Sequence, residues 1–232
     1  MRRHHLLVFL TLLLCAGCFL GVPKDRVLVF EDFDHGAQVG EGVLRYGSTA
    51  QWEIVEYPEG SGNYCLRPKD HNQHLGLALD LPVKPKKGRQ IVVTLKYAAV
   101  APDLTGSYHA DIYLALMNTQ YGYGVRHHVF YSGADRVMFF RANGAWHTRV
   151  DFNDSSTNIP EYIQPEWRRV KLVWEYDTIS FYLEDELIAS ITDDTHVDET
   201  IDRLNLWYWK SGTTNVEAIY FDDIQVQMIN RI

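Results

Sequence analysis

Eight aromatic and basic side chains crowd one short stretch of the chain: Tyr121, Tyr123, Arg126, His127, His128, Tyr131, Arg141 and Trp146. A sugar ring offers apolar C–H faces and hydroxyl edges. It is held by flat aromatic rings and by side chains with fork-like hydrogen bonding. This set has that composition, although the same residue types also serve as ordinary strand formers. Along Val125–Tyr131, strand alternation puts His127 and Tyr131 on one face and Arg126 and His128 on the other. Burying an unpaired guanidinium costs far more than burying a neutral imidazole. Arg126 and His128 are therefore expected to face outward, and His127 to face the core with a buried partner. Tyr121 and Tyr123 fall in Asn118–Gly124, a glycine-spaced aromatic segment read as a loop. Arg141 shares parity with Val137 and Phe139.

A second candidate is Leu204-Asn205-Leu206-Trp207-Tyr208-Trp209-Lys210. If Leu204, Leu206 and Tyr208 face the core, Trp207 and Trp209 face outward together, about 7 Å apart at two residues of strand rise. That is a stacking platform on the scale of a sugar ring. The opposite parity would place both indoles between sheets. Motifs for hydrolysis or phosphate chemistry are missing: no His-Glu-x-x-His, no Gly-x-Ser-x-Gly and no phosphate loop. The ten histidines show no ligand spacing with cysteine, and His127-His128 cannot point one way from a strand.

The elements that must position these residues are strands. In Trp167–Ile191, Val170, Leu172 and Trp174 alternate with polar neighbours, as do Ile179, Phe181 and Leu183, then Leu187, Ala189 and Ile191. The polar tetrad Glu175-Tyr176-Asp177-Thr178 and the acidic Glu184-Asp185-Glu186 lie between, so the stretch reads as a three-stranded antiparallel meander. Its greasy face needs a second sheet to cover it. Further strands are read at Val27–Phe33, Gln51–Tyr57, Tyr64–Arg67, Leu75–Leu81, Ile91–Tyr97, Ala110–Met117, Val125–Ser132 and Arg136–Ala142. Asn143-Gly144 then turns a hairpin through Trp146–Phe152. Arg203–Trp209 and Glu217–Met228 finish the series. His35–Ser48 and Asn153–Pro165 read as loops, and Asp193–Thr200 as an acidic segment with one helical turn. No helix of ordinary length and no repeat is found. The fold class is all-β, a two-sheet antiparallel sandwich.

Several of these stretches carry a resemblance. Trp-x-x-Val-x-Leu-x-Trp at Trp167–Trp174, a short acidic turn, and Ile-Ser-Phe-Tyr-Leu-Glu-Asp-Glu-Leu-Ile at Ile179–Ile188 resemble the late strands of concanavalin A-like, or laminin G-like, jelly rolls. Glu186 stands where that family has a turn glycine. Tyr220–Val226 resembles the family's last strand, and Glu31-Asp32-Phe33-Asp34 its opening one. The resemblance implies a jelly roll whose first and last strands run side by side. Related domains often carry a structural calcium there, which makes Glu31, Asp34 and Asp223 candidate oxygen ligands. The Glu-x-Asp-x-Glu run of the jelly-roll glucanases does not occur, so their paired carboxylates have no evident home. Jelly-roll polysaccharide lyases use an arginine to neutralise a uronate carboxylate, with a His or Tyr base and a Tyr acid. Arg126, His128, Tyr131 and Arg141 could supply those types, but the lyase motifs themselves are absent.

Met1-Arg2-Arg3, the apolar Leu6–Leu14 and the small residues before Cys18 read as an export signal over residues 1–17. Leu14-Cys15-Ala16-Gly17-Cys18 resembles a bacterial lipobox, in which Cys18 would be acylated. Ordinary signal cleavage is the alternative. Residues 18–26 would form a short tether, and residues 27–232 one sandwich domain. Removing residues 1–17 takes away Arg2 and Arg3 and no acid, so the formal charge goes from −8 to −10. Such a domain is a poor partner for nucleic acid or for anionic polymers held by charge alone. With Cys18 acylated, Cys65 has no disulfide partner and is expected to be a buried small apolar residue. The expected function is carbohydrate binding without catalysis, in the cell envelope or secreted. A polysaccharide-active enzyme, foremost a lyase, and a structural or protein-binding surface domain are the alternatives.

Overall fold

A computed structural model describes residues 25–33, 44–46, 52–70, 73–100, 110–129, 135–143, 149–151, 157–159, 166–210 and 217–231. No helix occurs among them. The strands form two antiparallel sheets.

The first sheet contains β1 (Arg26–Glu31), β3 (Trp52–Glu56), β4 (Tyr64–Pro68), β6 (Arg89–Val100), β12 (Arg168–Glu175), β13 (Thr178–Leu183), β14 (Glu186–Thr192) and β16 (Ala218–Asn230). Their order is β14-β13-β12-β6-β16-β4-β3, and β1 also pairs β16. The long β16 therefore shares one edge between β4, at Phe221, and β1, from Ile224 to Met228. First and last strands run side by side, as the resemblance implied. The second sheet contains β2 (Leu44–Tyr46), β5 (Gln73–Val83), β7 (Ala110–Met117), β8 (Tyr121–Val129), β9 (Asp135–Asn143), β10 (Arg149–Asp151), β11 (Thr157–Ile159) and β15 (Ile201–Lys210). Its order is β10-β9-β8-β7-β15-β5-β2, with β11 also on β9.

The meander is present as β12, β13 and β14. Glu175 pairs Thr178 across the two-residue turn Tyr176-Asp177. Leu183 pairs Glu186 across Glu184-Asp185, both at positive φ (48° and 66°), the primed turn geometry that matches strand twist. Glu186 thus opens β14 and lies outside the left-handed pair, so no glycine is needed there. Four local expectations change. Tyr121–Gly124 is the start of β8, and the β7–β8 link shrinks to Asn118–Gln120. Asn118 Oδ1 caps that link by accepting from Gln120 N and Tyr121 N, each at 2.8 Å. The His35–Ser48 and Asn153–Pro165 loops contain the short strands β2 and β11. Asp193–Thr200 holds turns joined by Val197 N to Asp194 O and Glu199 N to His196 O, and no helix.

One core fills the space between the sheets. Ile91, Val93, Leu95 and Tyr97 of β6 and Val170, Leu172 and Trp174 of β12 meet Ile112, Leu114 and Leu116 of β7 and Leu204, Leu206 and Tyr208 of β15. Tyr123 meets Trp174 edge-on across the gap, with centroids 4.9 Å apart. Cys65 is buried and free, and burial, with the Asp222 charge, pushes its thiol up to about 12. Such a thiol is inert at neutral pH.

His127 faces this core and has the buried partner its parity demands: its Nε2 lies 2.7 Å from the Tyr97 hydroxyl. Burial pushes its imidazole down to about 3, and the Arg136 backbone opposes this only in part. The unfolded chain takes up a proton near pH 6.5 whereas the folded one does not, so acid favours unfolding from about pH 6.5 down toward 3. Between pH 7 and 5 this residue should cost about 2 kcal/mol, or roughly 4–8 °C in Tm for a domain of this size. His127→Phe should be less stable at pH 7, because Tyr97 loses its acceptor. Its Tm should fall less steeply between pH 7 and 5 than that of the wild type. Parallel slopes in thermal scans would refute the assignment.

Candidate functional site

The inward residues of β7 and β15 leave the alternate set on the outer face of the second sheet. β7 contributes Asp111, Tyr113, Ala115 and Met117, and β15 contributes Asn205, Trp207 and Trp209. On β8, Val125 and His127 point inward, so Arg126 and His128 point outward with Gly122 and Gly124. Register aligns them in rows across the strands. His128, Asp111 and Trp209 form one row, and Arg126, Tyr113 and Trp207 the next.

Asp111 is the hub. Its carboxylate has no exposed surface, lies 2.7 Å from Arg126 Nη2 and lies 2.8 Å from His128 Nδ1. Burial works to raise this carboxyl, but the His128 and Arg126 contacts outweigh it and hold the group below the usual aspartate value. Asp111 is therefore ionised at neutral pH, and Arg126 is held in one place. The guanidinium also lies 5.5 Å from the centre of the Tyr113 ring. Tyr113 stacks on Trp207 at 4.4 Å and 22°, and meets Phe140 edge-on at 6.0 Å. A Cβ on Gly124 would come within 2.5 Å of Phe140 Cζ and 2.4 Å of Leu114 O, so the glycine lets Phe140 lie across β8. Trp207 and Trp209 are both half-buried against this cluster. The result is an aromatic layer in which Tyr113 and Phe140 are buried and Trp207 and Trp209 half-buried, beside an anchored guanidinium and a buried imidazole.

The structure unites Arg126, His128, Trp207 and Trp209 on one face and places Tyr121, Tyr123 and Arg141 elsewhere. Tyr123 is buried in the core. Its hydroxyl donates to Asp193 Oδ1 and accepts from His196 N at 3.0 Å, and burial with the Asp193 contact pushes its phenol up. Tyr121 has the same parity and lies 5.2 Å from the His196 ring. Arg141 follows Val137 and Phe139 to the inner side at the strand end. There it donates to Thr195 Oγ1 at 2.5 Å and lies 3.5 Å from Asp193. Tyr121, Tyr123 and Arg141 thus hold the 193–200 turns against the end of the sandwich and do not reach the Arg126 face. Tyr131 and Trp146 lie outside the described residues. Of the lyase set, Arg126 and His128 share a face and Arg141 does not join them.

The proposed calcium ligands are only partly placed. Asp223 sits in a bulge of β16, at φ 49°, and forms an ion pair with Lys96. Glu31 pairs Ile224 through the backbone, while its side chain and Asp34 lie outside the described residues. No group of three or more possible metal ligands occurs among the described residues.

Asp111, Tyr113 and Phe140 were missed from sequence. The available signal was a lone acid in the apolar run Ala110–Met117, on a strand able to pair the Arg126–His128 strand.

No family model matches the sequence, and no curated protein does. Solved structures do resemble the fold. A CBM2 module of the Lactobacillus casei BL23 phage J-1 evolved Dit aligns with TM-score 0.59 and 10% identity over 90% of this chain and 98% of that one. A carbohydrate esterase of the Shiga toxin-encoding bacteriophage phi24B aligns with TM-score 0.55 and 11% identity over 89% and 100%. An endo-1,3-beta-glucanase from Streptomyces sioyaensis aligns with TM-score 0.52 and 14% identity over 90% and 98%. The sheet order, the paired terminal strands and these likenesses agree on one conclusion: the chain folds as a concanavalin A-like jelly roll.

Proposed function

We propose that this chain is an exported carbohydrate-binding domain, tethered to a membrane through Cys18, that holds its glycan on the outer face of the second sheet. The observation that carries the reading is the pair of rows His128–Asp111–Trp209 and Arg126–Tyr113–Trp207. The half-buried indoles of Trp207 and Trp209, one of them backed by Tyr113, fit the C–H side of a sugar ring. The Arg126 fork, oriented by Asp111, fits its hydroxyl or carboxylate edge. The names of the structural neighbours, a CBM2 module, a carbohydrate esterase and a glucanase, point to the same ligand class.

A glycan array on the purified protein should return a poly- or oligosaccharide. Trp209→Ala should then weaken binding by on the order of tenfold, as expected for an aromatic anchor, with Tm within a few degrees of wild type. Unchanged affinity in a folded Trp209→Ala protein would remove this face from consideration. Appearance of unsaturated uronate products by ultraviolet absorbance would move the reading to a lyase.

Asp111→Ala should behave differently from Trp209→Ala. It leaves Arg126 without its carboxylate in a largely buried setting, a change that costs about 3 kcal/mol or more. Asp111→Asn keeps the shape and should lose less. Urea unfolding midpoints check both, and an Ala variant as stable as wild type would show that Asp111 is not the anchor. For the tether, Cys18→Ser should move the protein from the membrane to the soluble fraction. Unchanged membrane association on fractionation would count against acylation.

A further inference from the structure

The outer face of the first sheet, on the far side of the sandwich from Trp207 and Trp209, carries two hollows of about 290 and 350 Å3 that meet at Lys96 and Arg169. The smaller has an aromatic corner. The turn after β3 folds back through Tyr57 N to Asn63 O at 2.9 Å. It lays Tyr57 flat on Tyr220 of β16, at 3.8 Å and 10°. Trp167, just before β12, stands against Tyr57 at 68° with centroids 6.0 Å apart. Two half-buried rings thus form adjoining walls.

The rest of the hollow is polar. Asp222, only 6% exposed, accepts from Asn63 Nδ2 at 3.3 Å and from Asp223 N at 2.7 Å, which orients its carboxylate. Glu184 lines the other side and accepts from Arg169 N at 2.6 Å. Both cations already face carboxylates: Lys96 pairs with Asp223, and Arg169 Nη1 lies 3.2 Å from Asp185. Across the two hollows, Lys96 and Arg169, with Lys171 on Asp185 at 2.9 Å, stand against Asp222, Asp223, Glu184 and Asp185, which leaves the acids in slight excess. That balance disfavours an anionic ligand and suits a donor of several hydroxyl protons. The volume is at the small end of the ~300–1,000 Å3 range of ligand sites, room for one ring at a time. The second hollow extends the first beyond Lys96 and Arg169.

We infer that the Trp167–Tyr57 corner is a second saccharide site, which takes the terminal ring of a neutral glycan. The ring's C–H face would lie in the aromatic corner, with hydroxyls donated to Asp222 and Glu184. This goes beyond the proposed site around Trp207 and Trp209 and does not depend on it.

The test is a titration of the purified protein with neutral gluco-, galacto-, manno- and N-acetylhexosamine oligosaccharides and the corresponding uronates, followed by backbone amide resonances. A neutral probe should shift the amides of Asn63, Lys96, Arg169 and Asp222, and its uronate counterpart should not. Trp167→Ala should raise the Kd read from those amides tenfold or more, while amides around Trp209 titrate as before. Asp222→Asn, which keeps side-chain size, should do the same if truncating Trp167 loosens the fold. The inference is overturned if no probe moves these amides or if uronates move them as strongly. It is overturned equally if both folded variants bind like wild type, or if Trp209→Ala alone removes all binding. If only the Trp167 set responds, the Trp207–Trp209 reading fails and this one stands.

Discussion

A strand side chain can point only to one face or the other, and in this molecule the gap between the sheets claims one face of almost every strand. Tyr123 against Trp174, with Phe139, Phe181, Leu114 and Leu172 around them, fills that gap without exposed area. Fully burying a large apolar side chain contributes roughly 1.5–3 kcal/mol, while ordering each residue's backbone costs about 1–2 kcal/mol. The one cysteine among the described residues is unpaired, so no described disulfide shares this work. Any strand that slipped by one residue would turn its whole inward set to solvent. The outer faces are therefore consequences of the core. Arg126 and His128 are outside because Val125 and His127 are inside, and Trp207 and Trp209 because Leu206 and Tyr208 are inside.

This constraint also decides what could be read from the sequence. Where apolar and polar residues alternate cleanly, as in β12 and β13, period and face were both legible, and so was the fold class. Arg126, with its high cost of burial, sufficed to orient β8. Legibility ended where a residue's role depends on another strand. Gly122 and Gly124 look like loop residues until Met117 and Phe140 are seen lying across them. Tyr123 and Arg141 look like ligand contacts until Asp193 is seen to receive them. Asp111 shows as a break in an apolar run, and only the β7–β8 register brings it to Arg126 and His128. No short-range signal contains strand order.

Asp111 is costly as a stability device. A buried carboxylate with its cations can often be replaced by apolar side chains of similar volume with no loss of stability. What an apolar replacement could not do is fix the direction of a guanidinium beside an aromatic surface. Arg126 has four side-chain torsions to lose, and contacts with Asp111 on one side and the Tyr113 ring on another remove that freedom before any ligand arrives. Asp222 on the opposite face is held by lighter means, an amide and one backbone N–H. Two polar groups of one fold are thus oriented by different local chemistry, each next to aromatic rings.

A fold does not by itself choose a function, and the structural neighbours at 10–14% identity carry three different names, a CBM2 module, a carbohydrate esterase and a glucanase. For the proposed sugar face, the protonation state of Asp111 bears on whether it could act as an acid. Glycoside hydrolysis by a carboxyl pair needs one acid whose pKa is raised enough to keep its proton near neutrality. Asp111 is displaced the other way, by its His128 and Arg126 contacts against the pull of burial, and its oxygens already face those two side chains. It can orient a cation but has no proton to give. Elimination would ask something else, a base and a cation, and a carboxylate on His128 Nδ1 is also how a histidine base is oriented, so the Asp111 contact bears on hydrolysis alone. The contacts that hold Asp111, Arg126 and His128 together therefore work against the use of Asp111 as an acid. Asp111 on this face is an orienting carboxylate, held ionised by its neighbours.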